Sequence, residues 1–421
     1  HSPQPMKRIG PLTLRGLGTL VVAMGCFVLA GQLAVPELLY VGLLLVLLVV
    51  ASFIFLRIGR RSVSIQRAFV PDVVAAGEAV TVRVIVTVRS MVPGAPGHWV
   101  DTLPAGLVGD SHGALPATES GLRSGAQRAE VSYSAIAHSR GIHTIGPFEL
   151  ELSDPFALAV RRHQVGERSV VTVVPPVVEL VPISDASGAS SGSQHMVTEQ
   201  MGQGSDNLIA RPYMPGDSMR RVHWRATAHL DELMVRQEEQ ESVPEATVLI
   251  DRSALRYTSD AALAPGSDPG FEAAIVAAVS AARRLSRDGF RVEVIDAEGT
   301  LLTDPLSGND APDEIESMLL AFAVLRATRT DALEHASALF GGAVGGPLVI
   351  VTGHIDTADA ATLAPLARHA SHAVLLSVAP APGALAAFEE AGWRCAAIAP
   401  GSDLASAWAE AENGLRHEAR A

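Results

Sequence analysis

The stretch RPYMPGDSMRRVHWRATAHL, residues 211–230, crowds arginines, histidines, a Pro-Gly-Asp turn and a His-Trp pair into one short segment. Asp217 and His223 form a candidate acid–base pair, and the nearby arginines could hold an anionic substrate, so an uncharacterised hydrolase is one reading. No nucleophile or oxyanion donor is identifiable beside them, and no catalytic residue is assigned. The second reading is recognition. Pro215 and Gly216 suit the two central positions of a type II turn, where glycine accepts positive φ. That turn would leave Asp217 near the flanking arginines. Guanidinium groups pair bidentately with carboxylates and stack on aromatic faces. Arg211, Tyr213, Asp217, Arg220, Arg221 and Trp224, with Arg236 downstream, can therefore build a layered polar-aromatic cluster. Such a cluster either docks a partner or latches the segment to the unit that follows.

Chemistry of a different kind is expected after residue 244, where strands and helices alternate. ATVLIDRS reads as a buried strand, FEAAIVAAVSAARRLSRDG as an amphipathic helix, and PLVIVTG, HAVLLSVAP and RCAAIAP as further strands, which implies a mostly parallel sheet covered on both faces. The turn at Asp296-Ala-Glu-Gly would add one antiparallel edge strand. Ligands of such sheets bind beyond the carboxyl ends of the strands. There the chain offers Asp251, Ser253, Asp296, Thr352, His354 and Asp356. Asp251-x-Ser253 resembles the start of the metal-binding loop of von Willebrand factor A domains, whose D-x-S-x-S plus a Thr and an Asp supply the oxygen ligands a hard divalent cation needs. Leu255 stands at the second serine position and Gly353 where the later Asp would follow Thr352. Asp251 and Ser253 are thus weak metal candidates; Mg²⁺ is disfavoured, no cofactor is expected, and a metal-dependent A-domain binding module stays an alternative.

Two apolar runs, roughly Gly16–Val35 and Glu37–Leu56, are each long enough to cross a bilayer, which takes about 20 helical residues. The short connection between them dictates a tight hairpin. Lys7, Arg8 and Arg15 precede the pair and Arg57, Arg60, Arg61 and Arg67 follow it, so the positive-inside rule puts both ends, and the soluble remainder, in the cytoplasm. Next come strand patterns. In EAVTVRVIVTVR, Val80, Val82, Val84, Val86 and Val88 alternate with other residues, and similar runs recur to about residue 178 without a helix, as expected of an immunoglobulin-like β-sandwich. Asp154-Pro155 reads as a structural turn. The Ser/Gly-rich stretch that follows should be flexible; within it Gly188–Gly192 spells a nucleophile-elbow pattern by chance, lacking the required strand and helix.

The expected organisation is a cytoplasmic N-terminus (1–15, with Met6 a candidate start), a two-helix transmembrane hairpin (16–57), a β-sandwich (62–178), a flexible linker (179–206), the arginine-rich segment (207–241) and an α/β unit of Rossmann type (244–421). Formal net charge is −13 over 421 residues. From Glu241 onward there are 25 acidic and 12 basic residues, so the excess lies entirely in the α/β unit. Nucleic acid is therefore not an expected partner, since phosphate binding needs basic surface. Lys7 is the only lysine, which excludes phosphate-binding and Schiff-base lysines elsewhere. Two cysteines, Cys26 and Cys395, make neither a metal tetrad nor a disulfide framework.

RPYMPGDSMRRVHWRATAHLDELMVRQEEQE resembles the hallmark segment of the domain of unknown function 58 family, through Arg211, Tyr213, Pro215, Gly216, Asp217, Arg220 or Arg221, Trp224, Leu233, Val235 and Arg236. His229 stands where that family usually has Arg. RGIHTIGPFELELSDPFAL resembles the family's upstream segment, with Ala157 replacing Gly. The resemblance implies the order membrane hairpin, sandwich, signature and von Willebrand factor A-like unit. It implies no established enzymatic activity. It implies instead a membrane-anchored adaptor or scaffold for a MoxR-type AAA+ ATPase or its associated membrane proteins.

Overall fold

A computed structural model describes residues 8–9, 11–58, 62–89, 97–115, 127–183, 208–213, 222, 224–230, 232–238, 243–340 and 346–418. A short hairpin, β1 (Arg8–Ile9) and β2 (Leu12–Thr13), leads into α1 (Leu14–Leu33) and α2 (Glu37–Ile58). Thr13 caps α1, its hydroxyl accepting from the Gly16 amide. Ala34 ends the helix in the left-handed region. Both helices are long and apolar enough to cross a membrane, with mean hydropathies of 1.8 and 2.9.

The sandwich consists of β3 (Ser62–Val70), β4 (Val73–Ala75), β5 (Ala79–Arg89), β6 (Gly97–Asp101), β7 (Leu107–Gly109), β8 (His112–Leu115), β9 (Gln127–Ala137), β10 (Gly141–Ile145), β11 (Phe148–Ser153), β12 (Val160–Val165) and β13 (Ser169–Val174). They form three sheets, β3-β5-β9-β7, β12-β11-β6-β8 and β10-β13-β4, which share one core. The valine alternation acts as the pattern predicts: Val80, Val82, Val84 and Val86 are fully buried, because successive strand residues face opposite sides. Trp99 stacks on Phe148 inside. Beside them Arg67 is held bidentately by Asp101 at 3.0 and 2.8 Å, and the Tyr133 hydroxyl donates to the same carboxylate at 2.9 Å.

The expected structural turn at Asp154 is a joint. Its buried carboxylate accepts from the amides of Phe156, Leu158 and Ala159 at 2.7–2.9 Å. The loop so formed pairs with the first hairpin: the Thr13 amide donates to the Leu158 carbonyl, and the Val160 amide to the Pro11 carbonyl.

Beyond the sandwich the boundary differs from expectation. Residues 179–183 are not a free linker but lie along the α/β unit. The Val178 amide donates to Ser280 Oγ at 2.9 Å, Leu180 is buried, and the Trp408 indole donates to the Val181 carbonyl at 3.0 Å. Apolar side chains placed among the polar ones of this segment decide its docking. Residues 184–207, which contain the Gly188–Gly192 pattern, lie outside the described residues.

The signature segment contributes β14 (Leu208–Pro212), α3 (Trp224–Leu230) and β15 (Met234–Glu238), with β14 and β15 antiparallel. The α/β unit follows: β16 (Glu245–Ile250), α4 (Pro269–Arg287), β17 (Arg291–Asp296), α5 (Pro312–Ala323), α6 (Ala336–Leu339), β18 (Pro347–Ile355), α7 (Thr357–His369), β19 (His372–Pro380), α8 (Ala384–Glu390), β20 (Arg394–Ala397) and α9 (Leu404–Glu418). Its strands lie in the order β17-β16-β18-β19-β20, all parallel. One face carries Val248, Ile250, Val349 and Val351 against α4, α5 and α9; the other carries Leu249, Leu348 and Ile350 against α7 and α8. The expected edge strand after the Asp296 turn is reduced to two antiparallel bridges, Ile295–Leu301 and Val292–Leu306. The switch point, where ligands of such sheets bind, falls between β16 and its neighbours.

Candidate functional site at the carboxyl edge of the sheet

Asp251 follows directly on β16 and is 1% exposed. Its Oδ1 accepts from the Ser253 amide and its Oδ2 from the Thr352 hydroxyl, each at 2.9 Å. The structure thus brings together the two weak metal candidates, Asp251 and Ser253, and a third strand-end residue, Thr352. Burial pushes the Asp251 carboxyl up to about 6, against the lowering pull of the Ser253 amide, the Thr352 hydroxyl and the Arg256 charge.

The centre of this cluster is a residue the sequence reading missed. Arg256 Nε lies 3.3 Å from Asp251 Oδ2 and 3.2 Å from Asp331 Oδ1. Its two terminal nitrogens reach the Asp359 carboxylate at 2.8 and 3.1 Å, and one also donates to the His354 carbonyl at 3.0 Å. Burial by itself would lower the Arg256 pKa; hydrogen bonding to Asp359 and the charges of Asp359, Asp251 and Asp331 outweigh it and raise the group. A fixed cation therefore sits among three carboxylates.

Backbone geometry closes the same space. The Arg256 carbonyl accepts from the His354 amide at 2.6 Å, and a Cβ on Gly353 would stand 2.1 Å from that carbonyl oxygen. Gly353 is thus required by the close approach of the Arg256 loop, at the position where an A-domain metal site places a carboxylate. Leu255, at the second serine position, points out and is 73% exposed. The residues present do not fit the divalent cation that the A-domain resemblance implies: one ligand is an exposed leucine, another has no room, and a guanidinium lies among the acids. Among the described residues no group of three or more His, Cys, Asp or Glu is disposed to hold a metal.

The remaining strand-end candidates have local partners. Asp296 pairs with Arg252 at 2.7 Å and accepts from the Glu298 and Thr300 amides of its own turn. Asp356 caps α7 in a reciprocal box with Asp359, which keeps its carboxyl below the usual range through the Asp359 and Ala358 amides. His354 Nδ1 lies 2.9 Å from the Ala379 carbonyl.

The arginine-rich segment is only partly described. Arg211 pairs in register with Val235, and Arg236 with Ala210, so the two arginines stand on adjacent strands. The Tyr213 amide donates to the Leu233 carbonyl at 2.7 Å. Trp224 opens α3 and is 65% exposed. Pro215, Gly216, Asp217, Arg220, Arg221 and His223 lie outside the described residues.

A second buried guanidinium joins the sandwich to the α/β unit. Arg140, between β9 and β10, is 1% exposed. It pairs with Glu272 of α4, donates to the Leu325 carbonyl and lies 5.4 Å above the Phe271 ring centroid. Burial lowers the Arg140 pKa and raises that of Glu272. Arg140 opens the upstream motif quoted above, which was the available signal for it.

Residues 209–320 match the family model described as "Protein of unknown function DUF58". That is the family the sequence resembles. The match runs from the β14–β15 pair through Asp251, Ser253 and Arg256 into α5, and stops before Thr352 and Asp359. No curated protein matches. Among solved structures, a CARDB domain from Pyrococcus furiosus in complex with di-metal ions is 11% identical, covering 28% of this chain and 96% of its own, with a TM-score of 0.20. A non-cellulosomal cohesin from Archaeoglobus fulgidus is also 11% identical, covering 27% of this chain and 91% of its own at a TM-score of 0.19.

Proposed function

We propose that this protein is a membrane-anchored, non-enzymatic scaffold whose α/β unit is a metal-free relative of von Willebrand factor A domains, and that its sheet edge docks a protein partner. The carrying observation is Arg256. It ties Asp251, Asp331 and Asp359 together at the carboxyl edge of the sheet, where a small ligand of this sheet type would lie. What the loop offers outward is Leu255, next to the ion-paired Arg256. An exposed apolar side chain on a firm loop suits an interface anchor, because little conformational freedom is lost on binding.

The family resemblance supplies the partner class, a MoxR-type AAA+ ATPase, with Arg211 and Asp217 of the signature as further contacts. The positive-inside rule, applied to the arginines flanking the hairpin, supports a cytoplasmic position for the soluble units. Two apolar helices would raise the local concentration of whatever is bound, and the acidic α/β unit favours a basic partner face with salt-sensitive association.

The test is affinity purification of the full chain from native membranes, with mass spectrometry of co-purifying proteins. Leu255→Asp, and separately Arg211→Ala and Asp217→Ala, should each reduce recovery of the ATPase while the melting temperature stays unchanged. Undiminished recovery with Leu255→Asp removes the sheet edge from the interface. A melting temperature several degrees lower in both signature variants would make that segment a structural latch.

A further inference from the structure

The joint between the sandwich and the apolar helices exposes a side chain that neither unit needs. Phe156 is 57% exposed at the tip of the Asp154–Leu158 loop, although the carboxylate of Asp154 holds that loop through three amides. The loop does not hang free. The Thr13 hydroxyl donates to the Ala157 carbonyl at 2.6 Å, one residue from Phe156, and the same hydroxyl caps α1. A Cβ on Gly16 would lie 2.1 Å from the Leu158 carbonyl oxygen, so the loop backbone is pressed against the first turn of the helix.

Depth follows from length. The 20 residues of α1 span about 30 Å at about 1.5 Å per residue, which equals the hydrocarbon thickness of a bilayer. A helix of that length has no turn to spare, so if it spans, the turn at Thr13–Gly16 lies at the boundary between acyl chains and headgroups. The loop pressed against it lies at that boundary too. The other helix end agrees: Arg161, next to β12's first residue, donates to the Leu56 carbonyl of α2 at 3.1 Å. Arg15 and Arg57 are exposed at the same ends, and the Arg57 guanidinium lies over the Phe53 ring at 5.5 Å, one turn back along α2.

We propose that the Asp154–Leu158 loop is a lipid-contacting surface, with Phe156 set into the interfacial layer of the bilayer and Arg15, Arg57 and Arg161 at the level of anionic headgroups. The sandwich then rests directly on the membrane instead of swinging from it. Aromatic side chains favour this layer and arginines its charged rim. The proposal rests on the membrane reading of α1 and α2 and adds a third attachment to it.

The experiment uses the full chain in nanodiscs of acyl-brominated phosphatidylcholine mixed with phosphatidylglycerol. It compares Phe156→Trp, Leu44→Trp in mid-α2 and the parent, whose own tryptophan signal is subtracted. The expected result is that the added emission of both variants is blue-shifted and lost to bromine, while iodide in the buffer leaves it intact. Quenching of Trp at position 44 but not at 156, with iodide quenching the latter, overturns the loop contact and leaves the membrane helices standing. Absence of bromine quenching at both positions overturns the helices and the loop contact together.

Discussion

Arg256, half-buried, and Arg140, buried, are both guanidinium groups held by acids, yet they hold the molecule in opposite ways. Arg256 meets three carboxylates and a carbonyl, and its pKa is raised. Arg140 meets one carboxylate, one carbonyl and a ring; its Nε has no acceptor among the described residues, and its pKa is lowered. The first is a cation supplied to an acidic crevice by the chain itself. The second is a bolt between two units, kept in place by burial as much as by its partners. A guanidinium can thus neutralise carboxylates where they converge, or clamp a joint where they do not, and the number of acids around it tells the two apart.

Arg256→Ala is the sharpest way to break this comparison. It strands Asp251 in the interior with Asp331 and Asp359 nearby, and removing one partner of a buried pair costs about 3–5 kcal/mol. Chemical denaturation of the full chain should show a loss of that size. Mg²⁺ should leave the melting temperature of the parent unchanged; a clear rise would show that the carboxylates prefer a metal to their arginine.

Arg140→Met keeps much of the apolar bulk but leaves the half-buried Glu272 without its cation, for an expected loss of about 2 kcal/mol. Because the pair bridges two units, their unfolding transitions should also separate. A double-mutant cycle with Glu272→Gln measures the coupling. Additive losses would mean that Arg140 only fills space.

A smaller effect concerns pH. The folded protein holds a proton on Asp251 up to about pH 6, whereas the same group when unfolded loses it near 3.8. Glu272 is shifted in the same direction. Carboxylates raised in this way favour the folded state at low pH, and that contribution fades as pH climbs from about 4 to 6, at up to about 1.4 kcal/mol per pH unit for each fully shifted group. In Asp251→Asn the melting temperature should change less over this window. An unaltered profile would assign the slope to other groups.

Smallest of all is Leu255→Asp, at a side chain 73% exposed, which should move stability by under about 0.5 kcal/mol. Its whole effect is expected on co-purification of the partner.

Much of the fold was legible because periodicity is local. The valines of β5 alternate, the helical runs of α1 and α2 are unbroken, and strand–helix alternation after residue 244 prescribes a parallel sheet. Asp251, Ser253 and Thr352 were legible as strand-end residues for the same reason. Arg256 was not, although it stands five residues from Asp251, because its acids at 331 and 359 lie 75 and 103 positions away. Glu272 lies 132 positions from Arg140; the upstream motif marks the arginine, but nothing around Glu272 marks its partner. The polar-aromatic segment at 211–230 is conspicuous in the sequence instead, since density of functional groups is visible in one dimension.

The chain's own order of residues determined where apolar surface must be hidden, and hence the membrane-length helices, the sandwich strands and the two-faced sheet. Only tertiary structure decided which charges meet. Burial follows from patterns a few residues long, whereas an ion pair needs two side chains to arrive at one point from distant places, and that arrival is set by the packing of everything between them.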